Sequence, residues 1–282
     1  MKTYNNLLHM YKKEMALKDI PSETMKVFLF ELCNERNIDL YLNLDNEASE
    51  EFIEVFNEGA KRILNHEPMN YVLGYCWFYG YKLKVNKDVL IPRYETEELV
   101  GNILARVDEY YGDYQKIKIA DIGTGSGAIA ISLVKEESKL DMVATDISDV
   151  ALEVAKENAR INDADIRFMC GDMLKPLIDN NIHLDILISN PPYIPSEEDL
   201  EVSVKDFEPH VALFGGEDGL KYYRTIFENA DKVLNENAMM GFEIGYNQKE
   251  SLIALAREYF KDADIEVLKD INGKNRMMFI KL

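Results

Sequence analysis

Over the first seventy residues the apolar positions recur at helical spacing. Leu7, Leu8, Met10, Tyr11, Met15 and Leu17 form one loosely apolar face, and Pro21-Ser22-Glu23 reads as the first turn of a second helix continuing through residues 25–32. Ser49-Glu50-Glu51-Phe52 offers a cap and an acidic first turn for a third helix that carries Phe52, Val55, Phe56, Ala60, Ile63 and Leu64. The pattern predicts a small helical domain over residues 1–74. From Tyr75 the period shortens: residues 75–85 are aromatic and alternating, broken by Gly80 and then Asn86-Lys87-Asp88, which predicts a β-hairpin connector over 75–91. The remainder, 92–282, alternates strand and helix. Strands are expected at 117–122, 141–145, 166–170, 184–189, 239–244, 265–268 and 277–280, and helices at 128–135, 150–161, 220–234 and 248–260. That alternation predicts an α/β fold with a mostly parallel, doubly wound sheet of seven strands. Residues 269–275 are too few for a helical crossover, so the last strand should run antiparallel.

Composition narrows the classes. The three cysteines, Cys33, Cys76 and Cys170, are odd in number and far apart, so neither a disulfide framework nor a CxxC metal or redox motif can form, and a cytoplasmic setting is expected. No stretch approaches the ~20 apolar residues of a membrane span. The net charge of −19 would repel a phosphate backbone, so direct nucleic-acid binding is disfavoured. His9, His66, His183 and His210 lack metal-ligand spacing, and no metal site is expected. The run Glu197-Glu198-Asp199 reads as a solvated face, or as an acidic lip for a basic partner.

Two segments carry chemistry. The first is Ile117 to Ala128, a buried strand, the turn Gly123-Thr124-Gly125-Ser126-Gly127, and a helix start. Glycine suits such a turn because it tolerates positive φ and lets a ligand approach the main chain. Asp146, about 20 residues on at the end of the next strand, stands where a carboxylate meets ribose hydroxyls in folds of this type. The spacing also satisfies the G-x-G-x-x-G/A dinucleotide pattern through Gly123, Gly125 and Ala128, so a nicotinamide-dependent oxidoreductase remains open on this segment alone. Asp121 leans toward a cofactor with a cationic amino-acid moiety, as in S-adenosylmethionine-dependent methyltransferases.

The second segment is a buried strand, 184–189, that ends in Asn190-Pro191-Pro192-Tyr193. Prolines terminate strands, but this set also supplies an amide, rigid carbonyls and an aromatic face within four residues. Methylation of a planar nitrogen needs such a set. The lone pair of an amide or exocyclic amine is delocalised, so its plane must be fixed and its N–H groups accepted, here by the Asn190 side-chain carbonyl and the Pro191 backbone carbonyl, with Tyr193 stacking. Adenine and guanine amines pose the same problem, which keeps a nucleic-acid amino-methyltransferase as an alternative.

Together with Tyr71-Val72-Leu73-Gly74, the segment Val89 to Glu97, Phe207-Glu208-Pro209 and Gly215 to Leu220, these motifs resemble the HemK/PrmC family over nearly the whole chain. Its members are S-adenosylmethionine-dependent methyltransferases that modify the glutamine of the Gly-Gly-Gln motif in peptide chain release factors. The resemblance implies a Rossmann-like class I fold with an N-terminal substrate-recognition domain, S-adenosylmethionine as cofactor, S-adenosylhomocysteine as product, and release factors as protein partners. It implies that Asp121, Gly123, Thr124, Gly125, Ser126 and Gly127 surround the methionine part of the cofactor. Asp146 would hold the ribose, Asp172 and Met173 would border the adenine, and Asn190 to Tyr193 would hold the substrate glutamine. Tyr94 stands where the family usually has proline, and Met173 where it commonly has an aromatic.

Overall fold

A computed structural model describes residues 2–282. It separates into two compact units: the chain up to Tyr75 together with Leu200–Phe207, and Cys76–Asp199 together with Glu208–Leu282.

The first unit is helical: α1 (Tyr4–Met10), α2 (Lys12–Leu17), α3 (Glu23–Glu35), α4 (Glu50–Leu64) and α5 (Met69–Leu73). The single N-terminal helix expected from the periodicity is broken at Tyr11, whose ring packs near Phe56 at 6.2 Å and whose hydroxyl donates to Asn57 Oδ1 at 2.9 Å. The Ser49 hydroxyl accepts from the Phe52 N–H, the cap expected for α4. Leu7, Phe28, Leu29 and Phe56 form the centre of its core.

The second unit begins with a hairpin, β1 (Tyr75–Phe78) and β2 (Tyr81–Lys84), turned by Tyr79 and Gly80. It continues with α6 (Tyr94–Tyr111), β3 (Ile117–Ile122), α7 (Ala128–Glu136), β4 (Leu140–Asp146), α8 (Asp149–Ile161), β5 (Ile166–Cys170), α9 (Lys175–Asp179) and β6 (Leu184–Ser189). After the short α10 (Val202–Lys205), which belongs to the first unit, come α11 (Lys221–Phe227), β7 (Leu234–Glu243), α12 (Lys249–Tyr259), β8 (Asp264–Lys269) and β9 (Asn275–Lys281). The sheet order is β5-β4-β3-β6-β7-β9-β8, with β9 antiparallel to both neighbours. The chain winds outward from β3 to β5 and then restarts on the other side of β3, so the order reverses between β3 and β6. Such a point is where ligands sit in open α/β sheets.

The helix expected at 220–234 is shorter. The α-helix stops at Phe227, the Asn229 side chain donates back to the Thr225 carbonyl at 2.9 Å, and only a 3₁₀ turn follows. In its place β7 begins at Leu234. Asn235-Glu236-Asn237 has no strand-like alternation, but Asn235 Nδ2 donates to Asp185 Oδ1 (2.8 Å) and the Tyr111 hydroxyl to the Asn237 carbonyl (3.2 Å), which hold it beside β6. A buried side chain helps to tie the hairpin down. The buried Asn158 of α8 accepts from the Lys84 N–H (2.7 Å) and donates to the carbonyls of Lys84 (3.0 Å) and Ser126 (2.9 Å). No helix among the described residues is long and apolar enough to cross a membrane.

Candidate active site

Strands β3 and β6 run side by side, pairing Asp121 with Ile188 and Ile122 with Ser189, and the Ser189 hydroxyl donates to the Ile122 carbonyl at 2.7 Å. The glycine turn and the Asn-Pro-Pro-Tyr segment therefore leave the sheet at adjacent strand ends. Between them opens a cleft of about 900 Å³, its mouth included, lined by Gly123 to Ser126, Asp146, Asp172, Met173, Asn190 and Pro192. Leu90, Arg93 and Thr96 contribute from the segment before β3, and Val211, Ala212 and Tyr222 from the segment after Tyr193.

On the glycine side, Gly123 and Thr124 donate their N–H groups to the Thr145 carbonyl, at 2.8 and 2.9 Å, which bends the chain across the end of β4. Gly125 then takes φ +54° and donates to Asp146 Oδ2 at 2.8 Å, while Asp146 Oδ1 accepts from Ser148 at 2.9 Å. A side chain at Gly125 would be strained by that φ, and its Cβ would project into open space. Burial pushes the Asp146 carboxyl up, against the backbone N–H groups of Ser148, Gly125 and Ile147. Beneath the turn lies Asp121, fully buried. Its Oδ2 accepts the Thr124 hydroxyl at 2.6 Å, its Oδ1 has no partner among the described residues, and burial raises its carboxyl to about 7.

On the opposite side, Asn190 Nδ2 donates to Thr96 Oγ1 at 3.3 Å, and the Thr96 hydroxyl donates to Glu243 Oε2 at 2.5 Å. Glu243 ends β7 and is 1% exposed; its Oε1 accepts the Tyr193 hydroxyl at 3.1 Å. The segment after Tyr193 is held in turn. Ile194 exchanges backbone hydrogen bonds with Leu213 (3.0 Å) and Gly215 (2.8 Å), and Gln248 Nε2 donates to the Tyr193 carbonyl at 3.0 Å. Arg93 Nη2 donates to Glu208 Oε1 at 2.5 Å, and the Glu208 side chain is 2% exposed.

Four residues named from the sequence do not line the cleft. Asp121 lies under the turn, Gly127 is the residue before α7, Pro191 is buried, and the Tyr193 ring packs against the core with its hydroxyl on Glu243. Met173 reaches the cleft wall from φ +43°, with its carbonyl accepting the Thr145 hydroxyl at 3.3 Å and its side chain joining the core. Thr96 and Glu243 were not singled out. Glu243 had a legible signal, a carboxylate at the end of a buried strand, whereas Thr96 sits on α6, a helix not expected from the pattern.

Residues 6–74 match the PrmC N-terminal domain and residues 103–207 the methyltransferase small domain. A release factor glutamine methyltransferase of Bacillus cereus is 44% identical over 245 residues, 86% of each chain. That of Streptococcus pneumoniae is 36% identical over 273 residues, 96% of this chain and 95% of the relative. The chain belongs to the release factor glutamine methyltransferase family. The chain of this methyltransferase also has structural neighbours at low identity. A methyltransferase from Pyrococcus furiosus has a TM-score of 0.52 at 16% identity, covering 80% of this chain and 98% of that one. A 16S rRNA guanine methyltransferase from T. thermophilus has 0.51 at 13%, covering 73% and 49%. These two share the fold. The class I methyltransferase architecture accounts for the placement of the glycine turn of this methyltransferase beside its Asn190 segment, at the reversal of strand order.

Proposed function

We propose that this cleft binds S-adenosylmethionine against the glycine turn and transfers its methyl group to the side-chain amide nitrogen of the glutamine in the release-factor Gly-Gly-Gln motif. The residues fit the cofactor on three counts. Gly125 leaves open space where a Cβ would stand, Asp146 brings to the cleft wall a carboxylate of the kind that accepts from ribose hydroxyls, and Asp121 Oδ1 is a buried acceptor still able to take a donor or bridging water. When bound, the cofactor supplies an electrophilic methyl on a sulfonium sulfur.

The chain's own residues do the rest. An amide nitrogen attacks poorly because its lone pair is spread over the carbonyl, so orientation is the main lever and is worth up to ~7–11 kcal/mol. With Nδ2 given to Thr96, Asn190 presents Oδ1 as an acceptor for one amide N–H. Pro191 is buried outside the cleft lining, so its carbonyl is not assigned the second, and Tyr193 holds the segment in place from behind. No base is needed before transfer, because the nitrogen becomes acidic once methylated and its proton can leave to water.

The observation carrying this reading is the Asn190 amide on the wall of the same cleft as the glycine turn. The helical unit, which supplies none of the described lining residues, is proposed to grip the partner away from the reacting amide, where binding energy can be used for alignment. The test is incubation of the purified protein with S-adenosylmethionine, a whole release factor and ribosomal RNA, followed by mass mapping. One methyl on the Gly-Gly-Gln glutamine is expected, and label on RNA with the release factor untouched would overturn it.

A further inference from the structure

Asn190 is useful to an amide substrate in only one of its two orientations. With Oδ1 toward the ligand it accepts an N–H; rotated by half a turn it presents an NH₂ group that repels one. Packing barely distinguishes the two, since oxygen and NH₂ are nearly the same size. Something must choose.

We propose that Glu243 makes the choice, acting through Thr96 as a positioning residue for Asn190. A carboxylate can only accept hydrogen bonds. Glu243 Oε2 therefore commits the single hydrogen of the Thr96 hydroxyl, 2.5 Å away, and leaves Thr96 Oγ1 as an acceptor toward Asn190. Only Nδ2 of Asn190 can satisfy that acceptor, at 3.3 Å, and Oδ1 is released for the substrate. The other oxygen of Glu243 takes the Tyr193 hydroxyl at 3.1 Å, so one buried group aligns both ends of the Asn190 to Tyr193 segment. Burial, with a smaller contribution from the nearby Glu95, raises its carboxyl, and the two hydroxyl donors and the positive charge of Arg276 on β9 oppose that rise. Its backbone carbonyl, held by the Tyr223 hydroxyl at 2.6 Å, fixes its place at the end of β7.

The inference rests on the reading of Asn190 as the acceptor for the substrate amide, and it predicts more than a loss of activity. In Glu243→Gln the new amide can donate to Thr96, whose hydroxyl then turns toward Asn190, and Asn190 rotates to present NH₂. Such a site favours a carboxylate. A release factor carrying Gly-Gly-Glu should therefore inhibit the variant more strongly, relative to the KM for the natural factor, than it inhibits the wild type.

The experiment measures kcat, KM for a whole release factor, Kd for S-adenosylmethionine by calorimetry, and inhibition by the Gly-Gly-Glu factor. The variants are Glu243→Gln, Thr96→Val, Thr96→Ser and Asn190→Ala. Glu243→Gln and Thr96→Val are expected to lower kcat by roughly tenfold or more with cofactor Kd held, because misaligned reacting groups cost at least that much. Thr96→Ser restores the hydroxyl and should recover most of the loss. If Thr96→Ser is as impaired as Thr96→Val, the defect is one of packing and the relay is wrong. If Asn190→Ala is inactive while Glu243→Gln and Thr96→Val stay within about twofold of wild type, the relay is likewise wrong. Full activity in Asn190→Ala would instead overturn the reading of Asn190 on which the relay depends.

Discussion

Asp121 lies fully buried under the glycine turn, close to a second carboxylate, Asp146, with only the Thr124 hydroxyl and the backbone near Ala130 to favour its charge. Burial moves its carboxyl from 3.8 to about 7. A raised folded-state value means the native protein binds the proton more tightly than the unfolded chain does. The stability this confers is complete below about pH 4 and is lost as pH rises through 7. Thermal melts of wild type and Asp121→Asn at matched pH should show the wild type losing ground to the variant between pH 4 and 8; a constant difference would contradict the assignment. Asp146 makes a different prediction. Charge-assisted hydrogen bonds are worth ~1.5–3 kcal/mol each, so Asp146→Ala should raise the S-adenosylmethionine Kd by about tenfold or more. The turn itself should loosen, because Gly125 and Ser148 lose their acceptor. Unchanged affinity by calorimetry would remove Asp146 from the cofactor site.

At the level of elements, the loop from Gly215 to Gly219 braces the Asn190 to Tyr193 segment from behind. Gly219 adopts φ +74°, and a Cβ there would stand 2.3 Å from the Tyr193 carbonyl and 2.5 Å from Gln248 Nε2. Gly219→Ala is therefore expected to cost ~1–3 kcal/mol from backbone strain alone and to lower kcat through displacement of Tyr193. Denaturant unfolding and steady-state rates check it, and a wild-type rate in a folded variant would show that the brace is dispensable. The glycines of this loop were visible in the sequence as part of a resemblance, but their contact with Pro192 and Tyr193 was not. The same division runs through the fold. Strands β3, β4, β5 and β6 were legible within a residue because each is a short apolar run ended by a turn, and the chemistry-bearing turns follow them directly. Helix α6 is harder to read although Leu99, Val100, Ile103 and Val107 lie at helical spacing on its buried side, because its first turn, Tyr94-Glu95-Thr96-Glu97-Glu98, is polar and runs on from the motif before it. With α6 went Thr96, and with Thr96 the link to Glu243, which joins residues 147 positions apart and has no local signature.

The whole molecule carries a net charge of −19, which suits capture of a protein partner better than of RNA. A whole release factor offers contacts remote from the glutamine that a short Gly-Gly-Gln peptide lacks, and remote binding energy appears in alignment as well as affinity. The factor should therefore be methylated with much higher kcat/KM than the peptide; equal values would place all recognition at the glutamine. Strand order has a consequence for synthesis. β9 lies between β7 and β8, although it is made after both. While the chain is emerging from a ribosome, β8 has no neighbour to join and β7, with Glu243 at its end, shows an unpaired edge of the kind that invites aggregation. The strand that closes this gap also brings Arg276 toward Glu243. A nascent chain halted before Asn275 should therefore lack the finished surroundings of Glu243, however completely its glycine turn has formed, and on the proposed reading of the site an enzyme that acts on termination factors would become competent only late in its own translation.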